Sequence, residues 1–145
     1  MWVWLLVALV VLALAATIAA LLRRRSRMQA WATRFEAAKG EVAWLAREGI
    51  PQLGLAPTAQ QIAGGWRVTA DRVVAVEDQL TALEAEAIDD AGRARARTLR
   101  DAVRASRGQL DALAGTQDVA AASNELRAAA AGLEGALAWI DRPPE

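Results

Sequence analysis

Residues 2–22 read WVWLLVALVVLALAATIAALL, a stretch of 21 residues without a charge. As a helix rising about 1.5 Å per residue it spans about 31 Å, matching a bilayer hydrocarbon core of about 30 Å. Transmembrane insertion is the economical reading of such a run. Its rival is a cleaved signal peptide, for which Ala13, Ala15 and Ala16 offer small residues. A basic leading region is missing, however, and the charges come after the apolar run instead of before it. Arg23, Arg24, Arg25 and Arg27 follow the span and only Met1 precedes it. The positive-inside rule therefore predicts a single-pass protein of the cell membrane, its N-terminus outside and its C-terminal domain cytoplasmic. Trp2 and Trp4 then fall at the outer interface, where an indole buries its ring and keeps its N–H wet.

Beyond the span there is room for one domain of ordinary size. The whole chain balances 17 basic against 17 acidic residues, but residues 26–145 carry 14 basic and 17 acidic groups. A mildly acidic domain argues against generic nucleic-acid binding, which needs a basic face to displace phosphate counterions. Cysteine and histidine are both absent. Their absence removes disulfides, thiolate nucleophiles, imidazole metal sites and the Ser-His-Asp arrangement. Lys39 is the single lysine among many arginines, and alanine is abundant. That is the bias of a GC-rich, bacterial type of genome, so arginine content alone is no sign of selected chemistry.

The soluble part is patterned for helices throughout. Met28, Trp31, Phe35, Ala38, Val42 and Leu45 alternate steps of three and four, the seam of a packed helix, which Gly49 and Pro51 are expected to end with a left-handed glycine cap. No breaker separates Trp2 from Arg47, so membrane helix and first bundle helix are expected to be continuous. Thr58 with Gln61 forms a capping box, followed by a seam of Ile62, Trp66, Thr69, Val73, Val76, Leu80, Leu83 and Ala87. Gly64 and Gly65 mark either a bend, with the regular stretch starting at Trp66, or a close helix contact. Asp89 or Asp90 caps a third helix with the seam Ala96, Leu99, Val103, Ser106, Leu110 and Leu113, ending at Gly115. Thr116 caps a fourth, striped by Val119, Ala122, Leu126, Ala129, Leu133, Ala136 and Ile140 and stopped by Pro143 and Pro144.

The expected fold is all-α: a membrane helix over 1–22, a basic juxtamembrane segment over 23–27, an antiparallel bundle of about four helices over 28–141, and a tail over 142–145. Helices are placed at 28–49, 58–88, 91–114 and 117–140. The alternative is a longer helical hairpin that completes its core by dimerising, because alanine seam positions bury little area.

Arg93, Arg95, Arg97, Arg100, Arg104 and Arg107 lie in one run against the single acid Asp101. Nucleic acid or anionic lipid would suit such a run. The preceding helix carries Glu77, Asp78, Glu84, Glu86, Asp89 and Asp90, and an antiparallel hairpin would neutralise the arginines internally, the simpler reading. The RRRSR segment after the span would likewise attract anionic phospholipid, although its topological role is sufficient. Trp44 lies beside the seam position Leu45 and outside the seam, so it is a candidate partner contact, together with Arg95, Arg97, Arg100 and Arg104. Paired carboxylates such as Glu84 with Glu86 stand where solvated charges are expected, and Gly64-Gly65 lacks the spacing and lysine of a phosphate loop. No enzymatic activity, cofactor or metal is expected. The leading expectation is a membrane-tethered module binding a protein partner, or a second copy, by helix-helix contacts. An extracytoplasmic ligand-sensing bundle and an Arg-helix adapter for lipid or nucleic acid are the alternatives.

Overall fold

A computed structural model describes residues 2–142, with the side chains of residues 3–6 excepted. Trp4 as an interfacial anchor, and Pro143 and Pro144 as the stop of the last helix, lie outside what is described. Helix α1 runs Trp2–Trp44, α2 Ile50–Leu53, α3 Ala59–Glu86, α4 Asp90–Ala112 and α5 Val119–Ile140; among the described residues there is no strand. The chain divides into two compact units, one ending at Thr33 and one beginning at Arg34.

The first unit is the leading part of α1. An 18-residue window of this helix reaches a mean hydropathy of 2.1 with none of it buried, so it is long and apolar enough to cross a membrane. Thr17, the one polar residue in the apolar run, returns its Oγ1 proton to the Ala13 carbonyl at 2.7 Å. No side-chain hydroxyl is thereby left unbonded in an apolar surrounding.

The second unit is a four-helix bundle. Arg34 of α1 pairs with Glu86 near the end of α3, while Glu41 pairs with Arg72 further back along α3. α1 therefore runs antiparallel to α3. Lys39 with Asp141, and Arg47 of the turn just after α1 with Glu134, likewise set this stretch antiparallel to α5. α4 packs between α3 and α5, completing an up-down-up-down bundle in which α5 is met on its other side by the Leu45–Gly49 turn and the short helix Ile50–Leu53 that follows α1. The core is the seam read from the sequence: Phe35, Ala38, Val42, Ile62, Trp66, Val73, Leu80, Leu83, Leu99, Val103, Leu110, Leu126 and Leu133 are all buried. Met28 and Val119, counted in the seams, are exposed instead. Met28 belongs to the unit that ends at Thr33, outside the bundle unit whose core the seam forms.

The helix ends correct several expectations. Gly49 does not end the first bundle helix and is right-handed, with φ −58° and ψ −57°. The helix instead widens into a π-turn over Leu45–Gly49, in which Ile50 N–H donates to the Leu45 carbonyl five residues back, and continues as α2. Pro51 explains the change of register: it has no N–H to donate and its ring collides with the carbonyl four residues earlier, so a wider turn accommodates it. The Trp44 ring fills the space a side chain at Gly49 would need, a Cβ there lying 3.2 Å from the indole. α3 is regular from Ala59, with the Thr58 hydroxyl accepting from Gln61 N–H as the capping box requires. Gly65 is the close contact and not a bend, since a Cβ there would stand 2.6 Å from Leu53 Cδ2. Asp89 caps α4 by accepting from Gly92 N–H. The last helix is capped by Asp118, not Thr116, because a 3₁₀ turn over Leu113–Gly115 and an extended link delay its start. A carboxylate is also favoured at the positive end of the helix dipole.

Gly132 and Gly135 stand in the exposed interior of α5 with nothing within 4 Å of where a Cβ would sit. Each costs about 1 kcal/mol against alanine without serving a contact in the chain. Gly132→Ala and Gly135→Ala should each raise stability by about 0.5–1 kcal/mol in denaturant titration of the detergent-solubilised chain.

Candidate functional site

The arginine run lies on α4 with its charges turned towards α3. Glu77, whose side chain is only 7% exposed, meets Arg104 Nε at 2.7 Å and Arg107 Nη1 at 2.6 Å. Its Oε2 contact is ionic without a well-aligned hydrogen bond. Glu84, one heptad further along α3, accepts from Arg97 Nε at 2.8 Å and from Arg100. Each glutamate thus grips two arginines spaced i, i+3, and because the helices are antiparallel the pattern repeats once along the hairpin. Arg100 turns its remaining donors to Asp101, and this hydrogen bond chiefly holds the guanidinium above its ordinary range. At the far end of the hairpin the buried Trp66 donates Nε1–H to Asp111 at 2.8 Å.

Of the contact residues read from the sequence, Arg97, Arg100 and Arg104 are brought together on the two glutamates. Arg95, half-buried, is not among them, and no ion pair within the described residues joins it. A nucleic acid reaching for these arginines would have to displace Glu77 and Glu84 from them. Trp44 is half-buried, and Arg72 lies 3.9 Å over its ring, so a cation covers one face while Gly49 backs the ring. Arg72 is itself held by Glu41 at 2.6 Å. A partner would find little of the indole available.

Sequence reasoning missed the surface at the opposite end from the α3–α4 turn. There Ile50, Pro51, Gly54 and Leu55 face Leu126, Ala130, Ser123 and Arg127 of α5 across an apolar cleft of about 290 Å³. Leu55, on its rim, is 83% exposed. The cleft exists because the chain continues helically through Pro51 before turning, which the expected stop at Gly49 concealed. A second, polar hollow of about 710 Å³ lies between the start of α3 and the α4–α5 link, lined by Thr58, Gln60, Arg67, Thr116 and Gln117 among others. Compared with protein-family models, curated proteins and solved structures, the chain matches none.

The charges can be tested at two depths. Glu77→Gln should lower stability by about 2–3 kcal/mol, because it uncouples two arginines at a mostly desolvated carboxylate, whereas Arg93→Ala at an exposed i, i+3 pair should cost less than about 0.5 kcal/mol; denaturant titration separates them. Glu134 is held below the ordinary carboxylate value of 4.5, chiefly by the Arg47 hydrogen bond. A depressed acid stabilises above its unfolded pKa and loses that contribution as pH falls through the folded value. The stability deficit of Glu134→Gln should therefore be constant near neutrality and close as pH drops below 4.5.

Proposed function

We propose that this chain is a single-pass membrane protein whose cytoplasmic helical bundle docks another protein. The observation that carries the reading is the division of apolar surface between the two units. In the first, the apolar side chains Val7, Leu9, Val10, Leu12, Leu14 and Ile18 are all exposed along one helix, a surface that only lipid or other apolar matter can cover. In the second, the bundle closes its own core and pairs most of its arginines, leaving the cleft between α2 and α5 as its apolar opening. The four arginines that directly follow the span support the cytoplasmic side for the bundle.

The cleft suits a partner helix that inserts one aliphatic side chain between Leu55 and Leu126 and sets an acidic residue beside Arg127, the knob-in-groove mode of helix recognition. Pairing of Arg97 and Arg100 with Glu84 and of Arg104 with the buried Glu77 weighs against the Arg-helix adapter as a reading of this surface.

A photo-reactive residue at position 55 should cross-link one recurring protein in intact cells, while the same residue at Val68, exposed on α3, should not. Leu55→Asp should lose the complex more than about tenfold. Equal labelling from both positions would refute docking at the cleft. Digestion of the bundle by protease added outside intact cells would refute the cytoplasmic placement.

A further inference from the structure

We infer that Arg23, Arg24, Arg25 and Arg27 form a collar that binds anionic phospholipid headgroups, a partner that the proposed membrane placement presupposes but does not itself assign. Among the described residues, all four are exposed and none has an ion pair, whereas Arg34, Arg47, Arg72, Arg97, Arg100, Arg104 and Arg107 are each paired with a carboxylate. The difference has a cause in the sequence. The first acidic residue of the chain is Glu36, nine positions beyond Arg27, or about 13 Å along a helix. The compact unit that carries the collar ends at Thr33 and holds no acidic residue among its described residues, so the unit itself supplies no counter-charge.

The geometry favours lipid over an acidic protein as that source. At about 100° per residue the four side chains spread over more than half of the helix circumference within a rise of about 6 Å. A docking protein covers one face of a helix, while headgroups surround it at one level. The collar also begins one residue after the apolar run ends, the level at which phosphates stand. Guanidinium groups add planar, bidentate recognition of phosphate oxygens to simple charge attraction, which a basic residue near an anionic surface already strengthens about fivefold.

The test uses the full chain reconstituted into vesicles of equal parts phosphatidylcholine and phosphatidylglycerol, then released and analysed by native mass spectrometry for retained lipid. Phosphatidylglycerol should be enriched on the order of tenfold over phosphatidylcholine, and the variant carrying Arg23→Gln, Arg24→Gln, Arg25→Gln and Arg27→Gln should return to the vesicle ratio. Retention at the bulk ratio by the unaltered chain, or undiminished enrichment in the variant, would overturn the inference. Flotation after an alkaline wash separates this from the membrane placement. A chain that floats without lipid preference sinks only the collar, and a chain that does not float sinks both.

Discussion

Two glutamates one heptad apart on α3 set the register of the bundle. Glu77 and Glu84 each hold a pair of α4 arginines, and sliding the hairpin by one residue would move four guanidinium groups off their acids at once. The cost of such a slip is high because Glu77 is almost fully desolvated, and an unpaired buried carboxylate is far more expensive than a missing contact between alanines. A core with many small side chains has weak preferences of its own for depth and register. Charge therefore supplies the specificity that the apolar seam lacks. Trp66 donating to Asp111 adds a directional tie at the far end of the same hairpin.

With that hairpin in place, the remaining two helices are held by a different kind of contact. α5 buries its stripe against α4 and ties to it through Ser106 Oγ, which donates to the Ala129 carbonyl at 3.3 Å. α1 joins through its buried Phe35, Ala38 and Val42 and, with the turn that follows it, through a rim of pairs, Glu41 with Arg72, Lys39 with Asp141 and Arg47 with Glu134, each worth little singly in water. The Lys39 ammonium is raised above its ordinary pKa mainly by its hydrogen bond to Asp141, so the stability its charge contributes is present near neutrality and lost only as pH climbs through the raised value. Glu134 behaves with the opposite sign at the acid end. The edge formed by α1 is consequently insensitive to pH across the neutral range.

Much of this was legible because helices announce themselves by spacing. The alternating steps through Ile62, Trp66, Val73, Val76, Leu80 and Leu83 need no partner to be read, and the opposite signs of neighbouring α3 and α4 pointed to their pairing. The failures share one origin in the backbone. A glycine followed by a proline at 49 and 51 signals a stop only if the helix must keep its i→i−4 register, and the π-turn relaxes that condition without any mark in composition. Thr116 and Asp118 are both competent caps, and the choice between them rests on where a 3₁₀ turn releases the chain. The cleft beside Leu55 was hidden for the same reason, since its near wall is the stretch of helix that Gly49 seemed to exclude.

Arginine abundance in this chain has two separate uses that composition cannot distinguish. Beyond Glu36 acids are interleaved with arginines, and folding brings most of them together, so much of the positive charge is consumed in holding helices in register. Arg23, Arg24, Arg25 and Arg27 stand instead in a unit without acids, beside an apolar run, and none of them has an ion pair among the described residues. Whether an arginine is structural or available is thus decided by the distance to the nearest carboxylate that the fold can deliver. That distance is short on α4, where α3 supplies Glu77 and Glu84, which is why the larger arginine cluster is the one the fold has already occupied.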